Sequence, residues 1–241
     1  MQNCIEKDIK SEYNININIW KAFKMNYTHI FWDFNGTILD DVQTGIDCVN
    51  ILLKKRGLKT IPDKEFYKEV FGFPIIDYYA RLGFDFEKES YHEVAVEWVE
   101  LYMENVKRAK MNAGVKEILE KIKNLGIPQY ILSATELNML KTQLDMLGIS
   151  DYFEEVTGLD NIHAGSKTGL GRMFAERIKP EKALVIGDTS HDYETALAMN
   201  ADCVLFTGGH MKRSTLEECG CNLFDSFDGD FIDRIFADGT V

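Results

Sequence analysis

Cysteine, positive charge and long apolar runs are all scarce in this chain. No apolar stretch approaches the roughly 20 residues that a membrane-crossing helix needs, so no membrane span is expected. The five cysteines (Cys4, Cys48, Cys203, Cys219 and Cys221) are odd in number and scattered, and no signal peptide precedes them. They read as reduced thiols of a cytoplasmic protein rather than as a disulfide framework. Cys219 and Cys221 form a lone C-x-C, which is a weak metal signal. Lys and Arg number 27 against 39 Asp and Glu, a formal net charge of −12. That balance argues against nucleic acid and anionic membrane as partners. It suits a small substrate and a site that holds a cation, while most of the acids serve solubility.

What is present is apolar sequence in periodic order. The chain has 241 residues, 45% of them hydrophobic. It can bury a core as one large domain, or as one domain with a smaller insertion. Residues 1–24 stand apart. Asn and Ile alternate from Asn14 to Ile19, and Met25 stands just before the first strand. This segment reads as an N-terminal extension of weak order, with an extra edge strand as the rival.

The run Ile30-Phe31-Trp32 reads as a buried strand that stops at a carboxylate, Asp33. Gly36 follows where the chain must turn. Helical periodicity then predicts helices over Val42–Arg56 (closed by Gly57), Pro62–Val70, a short piece ending near Leu82, and Glu87–Arg108. The last has Val94, Trp98, Leu101 and Met103 on its apolar side. No strand is expected between Thr37 and Gly114, so this block reads as an all-helical insertion.

Strand and helix alternate after it. Helices are expected over Val115–Leu125, Glu136–Leu147, Thr168–Ile178 and Tyr193–Met199. Strands are expected over Gln129–Ser133, Tyr152–Thr157, Ala183–Ile186 and Cys203–Phe206. Such alternation implies a doubly wound α/β core with a mostly parallel sheet.

Polar residues recur at the strand ends: Asp33, Ser133 and Asp188, with Asp192 one helical turn further. In a parallel sheet these ends share one edge. Lys167 precedes the helix that leads to Asp188. Clustered carboxylates repel unless a cation lies among them, and oxygen donors suit Mg²⁺. Lys and Ser beside them suit a phosphoryl group, and a carboxylate can serve as nucleophile.

These motifs resemble the haloacid dehalogenase superfamily of phosphatases and phosphotransferases, in the small-helical-cap branch that includes phosphoglycolate phosphatases. They are Asp33-Phe34-Asn35-Gly36-Thr37, Ile131-Leu132-Ser133, Lys167, and Gly187-Asp188-Thr189-Ser190-His191-Asp192. The resemblance covers roughly residues 25–225. It implies a core of residues 25–41 and 113–241 and a cap of residues 42–112. It implies Asp33 as the nucleophile, which would form an aspartyl-phosphate. Mg²⁺ would be held by Asp33, the Asn35 carbonyl, Asp188 and Asp192. Gly36, Thr37, Ser133, Ala134 and Lys167 would bind the phosphoryl group, with Lys167 neutralising Asp33. The implied activity is hydrolysis of a small phosphorylated metabolite, with phosphoglycolate the family-level expectation, by a monomer or dimer.

Two positions depart from the pattern. The family's phosphatases normally carry a second Asp where Asn35 stands, and that Asp protonates the leaving group and then activates water. Asn can do neither, and general acid–base help is worth roughly 10²–10⁴-fold. The loss bears harder on poor leaving groups than on good ones. Asn35 leaves several readings open: a slow enzyme or one using another acid, a binding protein that has lost turnover, chemistry that needs no leaving-group proton, deamidation at Asn35-Gly36, or an engineered change. Lys167 also lacks a following Pro, and Arg172 is the nearest other cation.

Of the remaining candidates, Phe71-Gly72-Phe73-Pro74, Tyr78 and Arg81 are set against substrate contact or ordinary cap packing. His191 is a candidate replacement acid. His163 and His210 read as loop residues, Trp98 as cap core, and His29 as structural.

Overall fold

The computed structural model describes residues 27–159 and 167–236. The N-terminal extension and His163 lie outside the described residues. The chain begins with β1 (His29–Trp32), β2 (Leu39–Asp40), α1 (Val42–Lys55), α2 (Lys64–Val70), α3 (Ile75–Arg81), α4 (Tyr91–Asn105) and β3 (Lys110–Met111). There follow α5 (Val115–Asn124), β4 (Gln129–Glu136), α6 (Leu137–Leu147), β5 (Glu155–Leu159), α7 (Lys167–Ile178) and β6 (Ala183–Gly187). The described chain closes with α8 (Ser190–Met199), β7 (Asp202–Phe206), α9 (Arg213–Glu217), β8 (Asn222–Phe224) and α10 (Gly229–Phe236).

β1 shows why the sheet is layered on both sides. Ile30, Phe31 and Trp32 have no exposed surface. Side chains alternate across a strand, so Ile30 and Trp32 enter one core while Phe31 enters the core on the opposite face. Burying each such side chain contributes about 1.5–3 kcal/mol. The six strands run β5-β4-β1-β6-β7-β8, and every neighbouring pair is parallel. β1 is flanked by β4 and β6. The chain winds outward from β1 on one side and then on the other, which opens a crevice at the carboxyl ends of these three strands.

The helical block between β2 and β3 has a core of its own. Val42, Ile46, Val49, Leu52 and Leu53 recur at helical spacing along α1 and pack with Tyr67, Tyr78, Tyr79 and Val94. The two chain crossings into the block pair as a short antiparallel ribbon, Leu39 with Met111 and Asp40 with Lys110. The expectation of no strand between Thr37 and Gly114 is therefore corrected. Strands of two residues are too short for a periodic signal.

Several boundaries also move. α2 starts at Lys64, because the Asp63 side chain accepts the Phe66 amide and caps the helix there. α4 starts at Tyr91, after a turn in which Lys88 and Glu89 donate to the Asp85 carbonyl. Its buried side includes Tyr102 as well as Val94, while Trp98, Leu101 and Met103 are partly buried. β4 runs on to Glu136 with a register shift beyond Leu132. A single 3₁₀ turn over Ser150–Tyr152 delays β5 to Glu155. The sequence reading did not identify α9, β8 or α10.

Candidate active site

Asp33 follows β1, Ser133 lies on β4, Asp188 follows β6, and Lys167 and Asp192 stand at the starts of α7 and α8. All five are buried. The Lys167 Nζ forms ion pairs with Asp33 Oδ1 and with Asp192 Oδ1. Lys167 thus reaches the position expected of it without a following Pro. Arg172 is not among the residues lining the cavity described below.

Asp192 is held tightly. Its Oδ2 accepts from the amides of Asp188 at 3.1 Å and Thr189 at 2.9 Å, and from the Thr189 hydroxyl at 2.8 Å. Asp188 accepts the Thr37 hydroxyl at 2.9 Å and the His210 amide at 2.7 Å. Thr37 therefore directs its hydroxyl at Asp188. Ser133 Oγ accepts the Thr135 amide at 3.1 Å, and Ala134 next to it is exposed and lines the cavity.

Gly36 sits at φ +74°, and a Cβ there would lie 2.3 Å from Asp188 Oδ2. Both the backbone conformation and the closeness of Asp188 require glycine.

The charges in this crevice are unbalanced. Burial raises the Asp33 carboxyl well above the usual range; Lys167 opposes the rise, and Asp192 and Asp188 reinforce it. Asp188 is pushed up to about 6, first by burial, with His210 opposing and Asp192 adding. Burial alone would favour neutral Lys167, but Asp192 and Asp33 hold it as a cation. Ligand oxygens of Asp33, Asp188 and Asp192 all lie within 4.8 Å of one another. Counting Asp41, four buried carboxylates face two cations, Lys167 and His210. With all four carboxylates ionised the deficit is that of one divalent cation, and the all-oxygen donor set fits a hard one.

The Asn35 side chain is bound at both its nitrogen and its oxygen. Its Nδ2 donates to Asp41 Oδ2 at 2.9 Å and to the Tyr102 hydroxyl at 2.7 Å, and its Oδ1 accepts the Thr135 hydroxyl at 2.6 Å. Asp41 also accepts from the Gly36 amide at 2.8 Å, the Tyr102 hydroxyl at 2.5 Å, and His210 Nε2 at 3.2 Å. Burial would raise the Asp41 carboxyl, but the His210 charge and these hydrogen bonds outweigh it and hold it below its usual range. Burial likewise disfavours the His210 cation, yet Asp41, then Asp188 and Asp33, push it up to about 9.

His210 does lie in a loop, as expected, but its ring belongs to the site. His210, Asp41, Tyr102 and Thr135 surround Asn35 and were not among the site residues expected from the sequence. Only the acidic pair Asp40-Asp41, so close to Asp33, offered a local signal.

The helical block closes over this crevice. The Tyr67 hydroxyl meets His210 Nδ1 at 2.8 Å, Lys68 donates to the Thr207 carbonyl at 2.9 Å, and Phe73 stacks on His191 with ring centroids 3.6 Å apart. His191, the candidate replacement acid, is thus covered by Phe73, and burial lowers its pKa. A cavity of about 390 Å³ lies between block and sheet, lined by Asp33, Asn35, Ser133 and Lys167 on one side. Phe71, Phe73 and Tyr78 line the other side, as does Trp98, which also packs against the core of the helical block as expected. Arg81 does not line it, since its guanidinium is turned to the Val70 carbonyl at 2.8 Å.

Comparison with known proteins agrees with this geometry. Residues 30–206 match the family model described as haloacid dehalogenase-like hydrolase. A phosphoglycolate phosphatase from Nitrosococcus oceani is 28% identical over 198 residues, covering 75% of this chain and 84% of the relative. A phosphoglycolate phosphatase from Aquifex aeolicus is 26% identical over 190 residues, covering 77% and 87%. Among solved structures, a haloacid dehalogenase-like hydrolase from Streptococcus pneumoniae superposes with a TM-score of 0.72 at 20% identity, covering 82% of this chain and 93% of the other.

Proposed function

The chain belongs to the haloacid dehalogenase-like hydrolases, and on that premise we propose that it is a Mg²⁺-dependent phosphatase that works through an aspartyl-phosphate. The observation that carries this reading is Lys167 bridging Asp33 and Asp192 beneath a cavity that Ser133 also lines. Asp33 and Asp188, with the Asn35 backbone carbonyl, would hold the cation, and Asp192 would add its charge while fixing Lys167. The cation would supply positive charge against the repulsion between an anionic nucleophile and an anionic phosphoryl group.

The steps fall to the chain's own residues. An Asp33 oxygen attacks phosphorus, the bond to the leaving oxygen breaks, and the electron pair departs with that oxygen. Lys167 and Ser133, with backbone amides after β4 such as that of Ala134, stabilise the transferring oxygens, and the Gly36–Thr37 turn shapes the loop around them. Water then cleaves the acyl phosphate and regenerates Asp33. The block of residues 42–112 acts as a cap that excludes bulk water from the core of residues 25–41 and 113–241. The substrate is a small phosphorylated metabolite, and phosphoglycolate is the first to test because similar enzymes carry that name.

Asn35 favours a second reading, a protein that binds a phosphorylated ligand with little turnover. Its side chain carries no dissociable proton for the leaving group. The test is p-nitrophenyl phosphate hydrolysis with and without Mg²⁺ by this chain, Asn35→Asp and Asp33→Asn. Turnover by the chain that needs Mg²⁺ and is lost in Asp33→Asn supports the phosphatase. Turnover by Asn35→Asp alone supports the binding protein, and inertness of both sinks the enzyme reading.

A further inference from the structure

The cavity has two chemically different halves. Its floor holds Asp33, Ser133 and Lys167, while its roof and far wall are Phe71, Phe73, Tyr78, Trp98, Tyr102 and Met139. At about 390 Å³ it has the size of a small-ligand site.

Among the described lining residues the basic side chains are Lys167, His191 and His210. Lys167 is bound to two carboxylates, His210 to Asp41, and His191 is stacked under Phe73. None presents a cation to the leaving group. Of two further lining acids, Asp41 is balanced by His210, while Glu136 adds a negative charge that disfavours a substrate carboxylate. Glu136 is engaged in capping α6 through the Asn138 and Met139 amides.

The second line of argument is Asn35. Without a proton donor, the leaving oxygen must depart as an anion. A phenol-type oxygen has a pKa near 10, as in tyrosine, whereas an alkanol oxygen is closer to water at about 16. A site without the acid therefore works far better on the first kind.

We propose that the substrate class of this site is an aryl phosphomonoester, a phosphate on the hydroxyl of an aromatic ring that bears no carboxylate, in preference to phosphoglycolate. This deepens the phosphatase reading and rests on it. The ring lies between Phe71, Phe73 and Trp98, with offset or edge-to-face contacts of the kind aromatic pairs favour. As the Asp33–phosphorus bond forms, the phosphorus–oxygen bond to the ring breaks, and the pair leaves on a phenolate that takes its proton from water. No oxidant or further reactant is needed.

Phosphonates test recognition without leaving-group chemistry. Inhibition constants of benzylphosphonate and 3-phosphonopropionate, which mimic phenyl phosphate and phosphoglycolate, are measured on the full chain with Mg²⁺. The reporter is p-nitrophenyl phosphate hydrolysis, or the same assay on Asn35→Asp if the chain is slow. Benzylphosphonate should inhibit about tenfold more tightly, the worth of burying a modest part of one aromatic ring. Phe73→Ala should remove most of that preference, by weakening benzylphosphonate. Equal or tighter inhibition by 3-phosphonopropionate overturns the aryl assignment while leaving the phosphatase intact. If neither the chain nor Asn35→Asp hydrolyses any phosphomonoester, the phosphatase reading falls and the aryl assignment falls with it. The ratio on the unaltered chain decides the matter even if Phe73→Ala does not fold.

Discussion

At the scale of single residues, Asn35 and Gly36 show how tertiary contacts change a local chemical property. In a flexible chain Asn-Gly deamidates readily, because the glycine amide nitrogen can attack the asparagine side chain. Here the Gly36 amide is donated to Asp41 at 2.8 Å, and the Asn35 side chain is pinned by Asp41, Tyr102 and Thr135. The folded protein should therefore keep Asn35 intact at mildly alkaline pH, while urea-unfolded protein gains the mass of amide-to-acid conversion. Peptide mass spectrometry over matched incubations checks this, and equal rates in both states would refute it. Gly36 is similarly constrained. Gly36→Ala places a Cβ against Asp188 Oδ2 at 2.3 Å and His210 Cδ2 at 2.6 Å, at φ +74°. It should abolish Mg²⁺-dependent turnover, and a rate within twofold or so of the parent would contradict that.

At the scale of elements, α4 carries the connection between the helical block and the loop of residues 33–37. Tyr102 is buried on that helix; its hydroxyl donates to Asp41 and accepts from Asn35. Tyr102→Phe removes one donor from a buried carboxylate and one acceptor from a buried amide. It should cost about 1–3 kcal/mol in urea unfolding. A change below the error of the method would show that water replaces the hydroxyl there. Sequence periodicity located α4 but placed its apolar face on Val94, Trp98, Leu101 and Met103. A tyrosine whose ring is buried and whose hydroxyl is spent on a carboxylate gives no periodic signal, because amphipathic residues satisfy both faces of a helix. The same limit hid the ribbon of β2 and β3.

At the scale of the whole molecule, the unbalanced carboxylates link stability to pH and metal. His210 is held at about 9, above its unfolded value of about 6.5. Its stabilising charge is fully present below about pH 6.5 and is lost as pH rises through about 9, a contribution on the order of 3 kcal/mol. Metal-free protein should therefore lose stability across that window, and His210→Gln should lack that slope. Urea unfolding against pH measures both, and parallel curves would refute the assignment. Asp188 acts in the same direction at lower pH. Its folded pKa of about 6 keeps a proton that the unfolded chain releases, so stability falls as pH rises toward 6. Mg²⁺ should raise Tm most above that pH, by ligand linkage, and a Tm indifferent to Mg²⁺ would count against the cation site.

The alternation of the main strands and helices, and the gathering of Asp33, Ser133, Asp188 and Asp192 at one sheet edge, were legible in the sequence. Parallel α/β alternation brings strand ends to one edge whatever the details of the loops. The sequence places Lys167 only at the start of a helix, and the ion pairs to Asp33 and Asp192 show where its ammonium goes. Tertiary structure alone decided the surroundings. Asp41, Tyr102, Thr135 and His210 lie up to 169 residues apart in the chain and meet around Asn35 only because β7's loop, α4 and β4 converge there. The aromatic wall is likewise made by folding, since Phe73 and Trp98 face one cavity only after the helical block closes on the sheet. Local sequence determines which groups can do chemistry, whereas long-range packing determines which of them share one buried, low-dielectric site.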